Sequence, residues 1–359
     1  MEPTVPTDLA LQEQHPHVVL GELPTPLEWL PFPGMDELLV KRDDVSGAPY
    51  GGNKVRKLEF LLGRALAEGA PEVITFGAAG SNHALATAIY AARTGLRCHS
   101  VLVPQTNAAN VRRNLLRSHT VHARLHACSG RSESARCVRT IFRDTYARTG
   151  RCPHVIPPGG SSPVGVLGFV NAAFELARQC ASVGLPDVIY VPSGTMGTCI
   201  GLLLGLRLMG APTRVEAVSV TTAPFSCTEK AEALFNATNR LLHADDPTVP
   251  LVPFPCGRFS FRREFLGEGY GIYTEEGMAA IQTAREKANI RLEGTYTGKA
   301  FAALLADANR GALVGKRVLF WDTYNSRDFS ADIEGTDYRT LPAPFHAYFE
   351  EETQPLDQR

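Results

Sequence analysis

The sequence predicts an α/β protein built on largely parallel, helix-covered sheets, and three observations carry that expectation. Short β-branched runs alternate with longer stretches whose apolar residues recur at helical spacing. Two of the runs pass directly into small-residue loops that open a helix, the local grammar of a parallel α/β fold. At 359 residues the chain is also too long for one compact unit, so two domains with buried cores are expected.

In order along the chain, residues 38–41, 72–76, 99–103, 188–191, 215–220 and 317–321 read as buried strands. Between them 58–68, 82–94, 164–181, 199–209, 275–288 and 298–309 carry helical apolar periodicity. The tails differ: 1–17 is polar and contains proline, while 331–359 mixes acids with Pro342, Pro344 and Pro355. Both are expected to be extensions outside the core.

Composition narrows the function classes. With 44% hydrophobic and 20% charged residues and a formal net charge of -1, there is no electrostatic footprint for nucleic acid or a membrane surface. Eight cysteines are scattered without a C-x-x-C pair, which reads as reduced thiols and a cytoplasmic protein. The segment from Met1 to Gln14 carries Glu2 and Asp8 and reads as neither signal peptide nor anchor, and no run reaches the ~18 apolar residues of a spanning helix.

Three segments carry chemistry. In Tyr50-Gly51-Gly52-Asn53-Lys54-Val55-Arg56-Lys57-Leu58-Glu59, two glycines permit a tight turn and an apolar helical stripe begins at Leu58. A lysine at that junction sits near the positive end of a helix dipole, where its pKa falls and a neutral, nucleophilic amine becomes available. The alternative is a basic surface turn, since Lys54, Arg56 and Lys57 cluster. The second segment, Val73 to Ala84, runs from a strand through Gly77 and Gly80 to Ser81 at an N-cap position. It places Ser81, Asn82 and His83 at the C-terminal edge of a sheet, where open α/β folds bind ligands. The third, Val191 to Gly201, is again strand, loop and helix: backbone N–H groups with Thr195 and Thr198 make a phosphate site that is neither Walker A nor G-x-G-x-x-G.

Gly51-Gly52-Asn53-Lys54, Ser81-Asn82-His83, the Gly194 to Thr198 loop, Gly267-Glu268-Gly269-Tyr270-Gly271 and Tyr296-Thr297-Gly298-Lys299-Ala300 occur in that order. Together with Leu23 to Leu27 and Lys41-Arg42-Asp43-Asp44 they resemble the D-cysteine desulfhydrase and 1-aminocyclopropane-1-carboxylate deaminase family of fold type II pyridoxal-phosphate enzymes, over about residues 18–330. The resemblance implies two doubly wound open sheets, with the cofactor between the domains. It implies a large domain of 18–60 and 171–330, a small domain of 61–170, and terminal extensions 1–17 and 331–359.

It also implies residue roles. Lys54 matches the lysine that holds the cofactor as a Schiff base and takes the Cα proton. Ser81 matches a serine beside the substrate carboxylate and Cα, and Asn82 the hydrogen-bond donor to the cofactor's 3′-oxygen. Gly194, Thr195, Met196, Gly197 and Thr198 match the phosphate cradle; Tyr296 matches an active-site tyrosine, and Thr297 the position facing the pyridine nitrogen. Thr323 matches a cofactor-binding threonine, while His83, Tyr324 and Asn325 line the expected substrate side.

Similar ring-opening deaminases carry Glu at the Thr297 position and Gln at the His83 position. A hydroxyl does not hold a protonated ring nitrogen as a carboxylate would, so the pair favours desulfhydrase-like α,β-elimination to a 2-oxo acid and ammonia. Ring-opening deamination, β-replacement or epimerisation of a bulkier polar amino acid, and a non-catalytic cofactor-binding protein are the alternatives. Asp322-Thr323-Tyr324-Asn325 replaces the family's usual His-Thr-Gly-Gly, and Glu293-Gly294 its usual Asp-Pro, so a reshaped pocket is expected.

Lys299 is the rival Schiff-base lysine. His119, His122 and His126 have metal-like spacing, but no fourth ligand is evident and no metal is expected. Arg136, Arg139 and Arg143 read as a solvated helix face. The expected partners are a small amino acid and a second copy of the chain, without nucleic acid or membrane.

Overall fold

A computed structural model describes residues 11–358 and divides the chain into two units. The first comprises Gly21–Lys57 and Ser161–Ser326 with the described residues up to His15; the second comprises Pro16–Leu20, Leu58–Gly160 and the chain from Arg327 onward. Residues 1–10 of the expected N-terminal extension lie outside the described residues.

The elements in chain order begin with α1 (Leu11–Gln14), β1 (Leu27–Trp29), β2 (Glu37–Arg42), α2 (Lys54–Ala67), β3 (Glu72–Ala78), α3 (Asn82–Arg93), β4 (Arg97–Val103), α4 (Ala109–Thr120) and β5 (Arg124–Ala127). There follow α5 (Arg131–Thr149), β6 (His154–Val155), α6 (Pro163–Gln179), β7 (Val188–Ser193), α7 (Gly197–Leu208), β8 (Arg214–Ser219), α8 (Thr228–Asp245) and β9 (Phe259–Arg262). The last are α9 (Glu275–Ala288), α10 (Thr297–Asn309), β10 (Arg317–Asp322), α11 (Ser330–Ile333) and α12 (Ala347–Glu350).

In the first unit six strands lie in the order β1-β2-β10-β7-β8-β9, parallel except for β1 at the edge. Alternate residues serve opposite faces, as the pleat requires. Leu38, Val40, Val318 and Phe320 pack with Ala280, Ala300, Phe301 and Leu304 of α9 and α10. On the other face the ring of Trp321 meets Phe169 of α6 edge-on at 6.0 Å. Helix α7 is buried on eleven of its twelve residues, which explains why it is apolar all round rather than amphipathic.

The second unit holds a parallel sheet in the order β5-β4-β3-β6. Ile74, Val101 and Cys128 pack against Ile141, Val138 and Phe142 of α5, while Arg136, Arg139 and Arg143 face outward. Two doubly wound parallel sheets were expected. The boundaries differ: an expected division after 170 would cut α6, which packs on α7 within the first unit. The C-terminal residues, expected as an extension, form part of the second unit. Tyr348 accepts the Gln105 N–H at 3.0 Å, and the Asn107 amide donates to the carbonyls of Tyr348, Glu351 and Glu352.

Candidate active site

The Lys54 turn is held from three sides. Gly51 N–H donates to Asn325 Oδ1 at 2.7 Å, Gly52 N–H to Asp43 O at 2.7 Å, and Asn53 N–H to Thr323 O at 3.2 Å. Gly52 has φ +94, and a Cβ on Gly51 would lie 1.9 Å from Asp44 O, so the turn admits only glycine at these positions. Lys54 is the first residue of α2. Its Nζ donates to Asn53 Oδ1 at 2.8 Å, and the Asn53 amide donates in turn to Thr198 Oγ1 at 2.9 Å. The amine lies 6.0 Å from the Tyr296 ring centroid. Burial lowers the Lys54 pKa to about 8, against the opposing pull of Cys199 and Glu293, so the neutral, nucleophilic amine is far more accessible near neutrality than in an ordinary lysine.

Below it, the loop after β7 turns at Met196, whose φ of +67 starts α7. The Ser161 hydroxyl contacts Thr195 Oγ1 at 2.7 Å and accepts the Gly197 N–H at 3.1 Å. A Cβ on Gly197 would sit 2.6 Å from Ser161 Oγ and 2.8 Å from Lys57 Nζ, so the buried amine of Lys57 lies against the loop. Burial first, then the Lys54 charge, pushes the Lys57 pKa well down, a strain that an anion in the loop would relieve. A helix N-terminus, two threonine hydroxyls and a lysine fit a phosphate group. Lys57, Ser161 and Asn53 were not singled out from the sequence. Lys57 was legible only as part of a basic cluster, and Ser161 lies 36 residues before Gly197.

The third part is the start of α10. Glu293 is buried, and its carboxylate accepts N–H bonds from Thr295 at 2.9 Å, Tyr296 at 2.5 Å and Thr297 at 3.1 Å. The Thr297 hydroxyl oxygen accepts the Glu293 N–H at 2.9 Å, a reciprocal cap that fixes both residues. Glu293-Gly294, expected to mark a reshaped pocket, thus braces this turn. Tyr296 OH meets Tyr270 OH at 2.9 Å, and burial followed by Tyr270 drives the Tyr296 pKa well above its ordinary value, keeping the phenol neutral. Tyr296 also comes close to the Gly194 to Thr198 loop: a Cβ on Gly194 would be 3.3 Å from its Cε1.

Lys299, the rival lysine, donates to the carbonyl oxygens of Leu266 at 2.7 Å and Gly269 at 3.4 Å. Burial lowers its pKa to about 8 as well, so geometry rather than acidity separates the two lysines: Lys299 clasps the 267–271 loop. Asn325, expected on the substrate side, spends its carbonyl on Gly51. Asn325→Ala would leave that buried N–H without its acceptor at a cost of roughly 1–3 kcal/mol. A lower melting temperature and weaker cofactor uptake by the apo protein are expected. Unchanged uptake would return Asn325 to the substrate.

In the second unit, Ser81 caps α3, its Oγ accepting the Ala84 N–H at 3.2 Å at the C-terminal end of β3. Asn82 follows at the first helical position and His83 is buried beside it. The three histidines of metal-like spacing part company. His126 Nε2 meets His99 Nδ1 at 3.0 Å, His119 meets Thr340 Oγ1 at 3.0 Å, and His122 occupies a turn with φ 60 before β5.

A buried amine at a helix start, joined through one asparagine to a small-residue loop that opens a second helix on the same sheet, has the chemistry of an enzyme that takes an aldehyde-phosphate cofactor. Residues 18–323 match the pyridoxal-phosphate dependent enzyme family, and the chain belongs to it. It is 36% identical over 299 residues to a D-cysteine desulfhydrase of Salmonella paratyphi A, covering 81% of this chain and 88% of that protein. It is 34% identical over 321 residues to a Pyrococcus furiosus protein provisionally named a 1-aminocyclopropane-1-carboxylate deaminase, covering 88% and 93%. Among solved structures, an ACC deaminase homologue superposes with a TM-score of 0.75 at 33% identity, covering 90% of this chain and 95% of that one. The fold is that of a type II pyridoxal-phosphate enzyme.

Proposed function

We propose that the chain catalyses D-cysteine desulfhydrase-like α,β-elimination on a small amino acid, consuming one water and releasing the β-substituent, a 2-oxo acid and ammonia. The observation that carries this reading is the state of Thr297. Its oxygen takes the Glu293 N–H, and the Glu293 carboxylate beside it is committed to three backbone N–H groups. A protonated pyridine nitrogen would find a hydroxyl rather than a carboxylate there, which suits a reaction whose leaving group departs with the Cα proton.

Pyridoxal phosphate, when bound, supplies an electron sink conjugated to the substrate Cα. Lys54 supplies the attaching amine and then the base for the Cα proton. Gly194 to Thr198 with Ser161 and Lys57 hold the phosphate, and Thr323 steadies the Asn53 backbone beneath Lys54. Asn82 donates to the 3′-oxygen. Ser81, whose oxygen already accepts Ala84 N–H, has its hydroxyl hydrogen to give to the substrate. Tyr296, His83 and Tyr324 border the substrate. Similarity to the Pyrococcus protein supports a second reading, ring-opening deamination of 1-aminocyclopropane-1-carboxylate. Assay of both amino acids, with ammonia and 2-oxo-acid readouts, separates the two. Turnover of the cyclopropane substrate alone would overturn the elimination reading.

Ser81→Ala is expected to retain the bound chromophore and lose turnover by ~10²-fold or more, with a cap loss of roughly 1 kcal/mol. Full activity would reduce Ser81 to a helix cap. The free thiols of the eight cysteines support a reducing, cytoplasmic setting. A homodimer follows only from the prevalence of two-fold symmetry, and sedimentation tests it.

A further inference from the structure

We propose that Asn114, on α4, is a positioning residue that sets which end of the Asn82 side chain is presented to the cofactor. This rests on the assignment of Asn82 to the cofactor's 3′-oxygen. The argument starts from one carbonyl. Asn114 Nδ2 donates to Gly80 O at 2.8 Å and to Asn82 Oδ1 at 2.9 Å, and Asn114 is 5% exposed.

A backbone carbonyl only accepts, so the end of Asn114 that reaches Gly80 must be its NH₂. The same NH₂ reaches the Asn82 side chain, which must therefore offer its oxygen to Asn114. The other end of Asn82, its NH₂, is then turned away from α4 as a donor. A donor suits an oxygen that carries negative charge, as the phenolic oxygen of pyridoxal phosphate does. Reversing the Asn82 amide would set two NH₂ groups against each other and present a carbonyl to that anionic oxygen, so the hydrogen bond through Asn114 selects the productive orientation.

The peptide that Asn114 reads is itself clamped. Gly80 N–H donates to Gln105 Oε1 at 2.9 Å, and the Gln105 backbone N–H donates to Tyr348 OH at 3.0 Å. A Cβ on Gly80 would meet Val111 Cγ2 at 2.8 Å, so the strand-to-helix turn bearing Ser81 and Asn82 is seated directly on α4. Asn114 was not legible as functional: it lies 32 residues from Asn82 on a helix whose sequence is mostly polar.

The test is a double-mutant cycle on the holoenzyme, reading the pH midpoint of the bound cofactor's absorbance and the dissociation constant for pyridoxal phosphate. Loss of a donor to the phenolic oxygen concentrates negative charge there, so the neighbouring proton is held more tightly and the midpoint rises. Asn82→Ala should raise the midpoint and weaken binding about tenfold or more. Asn114→Asp keeps the volume but presents an acceptor to both carbonyls, and should shift both readouts the same way, at least threefold in binding. Asn114→Ala should do likewise, and the pair Asn82→Ala with Asn114→Ala should equal Asn82→Ala alone. Should Asn114→Ala fail to fold, Asn114→Asp with Asn82→Ala completes the cycle. A lowered melting temperature without a midpoint shift in either Asn114 variant, or shifts that add in the double variant, would overturn the positioning role. If Asn82→Ala itself leaves the midpoint and affinity unchanged, the assignment of Asn82 fails, and the proposal fails with it for that separate reason.

Discussion

Lys54→Ala is expected to lose turnover by on the order of 10³-fold or more and to lose the covalently attached chromophore while remaining folded. The expectation follows from three properties that meet at one atom. The amine opens α2, burial lowers its pKa to about 8, and Asn53 links it to Thr198 at the start of α7. No second lysine combines them: Lys299 has the same depression but donates to Leu266 O and Gly269 O, and Lys57 lies against Gly197 where a phosphate would need it. Borohydride reduction of the native holoenzyme should therefore fix the cofactor on the peptide containing Lys54. Recovery of the label on Lys299 would refute the assignment, as would an unaltered visible spectrum in Lys54→Ala.

Arg56→Met should be the most destabilising conservative-volume change near the site, by roughly 3–5 kcal/mol. Arg56 is 1% exposed and its guanidinium is shared between two buried carboxylates. Nε donates to Asp43 Oδ1 at 3.0 Å, Nη1 to Glu175 Oε2 at 2.8 Å and Nη2 to Glu175 Oε1 at 2.8 Å. Lys41 Nζ completes the cluster on Glu175 at 2.5 Å, and Trp321 Nε1 donates to Asp43 Oδ2 at 2.8 Å. Removing the arginine leaves two carboxylates buried with one lysine between them, two residues after Lys54. Its melting temperature should fall by roughly 4–7 °C, and a loss under 1 kcal/mol would show that the cluster is not coupled to folding.

The same cluster sets an acid limit. Burial pushes the Glu175 carboxyl up, but the hydrogen bonds and charge of Arg56, then Lys41, outweigh it and hold its pKa near about 2. A depressed carboxyl contributes stability that is present above its ordinary pKa of 4.5 and is lost as the pH falls toward 2. Stability should therefore decline across that window, and Arg56→Met should flatten the decline, which urea titrations at stepped pH would read.

The central strands were legible because a strand buried on both faces carries a run of apolar residues, as 188–191 of β7, 318–321 of β10 and the shorter 38–40 of β2 do. Helix α9 was legible to the residue. Helices α4 and α8 were not, because their buried faces include Asn114 and Ser118, and Thr238 and Asn239, which interrupt the apolar period. Of the site, the Gly51 to Lys54 turn, the Gly194 to Thr198 loop and Ser81-Asn82 were visible as strand-to-helix junctions. Asn325 was read as a pocket residue because it stands in place of glycine, and its hydrogen bond to Gly51, 274 residues away, could not be seen in the sequence.

By itself the sequence determined the parallel, helix-covered α/β architecture and the three strand-to-helix junctions, because each is written in a contiguous stretch whose glycines, caps and apolar period act locally; the cofactor class came through the resemblance of the ordered motifs to a known family. The tertiary structure decided that of two equally depressed lysines Lys299 is held by backbone carbonyls and Lys54 by the Asn53 side chain, that Lys57 and Arg56 are buried rather than a surface turn, and that Glu293 is spent on a helix start. Those outcomes depend on partners brought together from distant parts of the chain, and on how much water is left around each charge. Neither quantity is a property of any single segment.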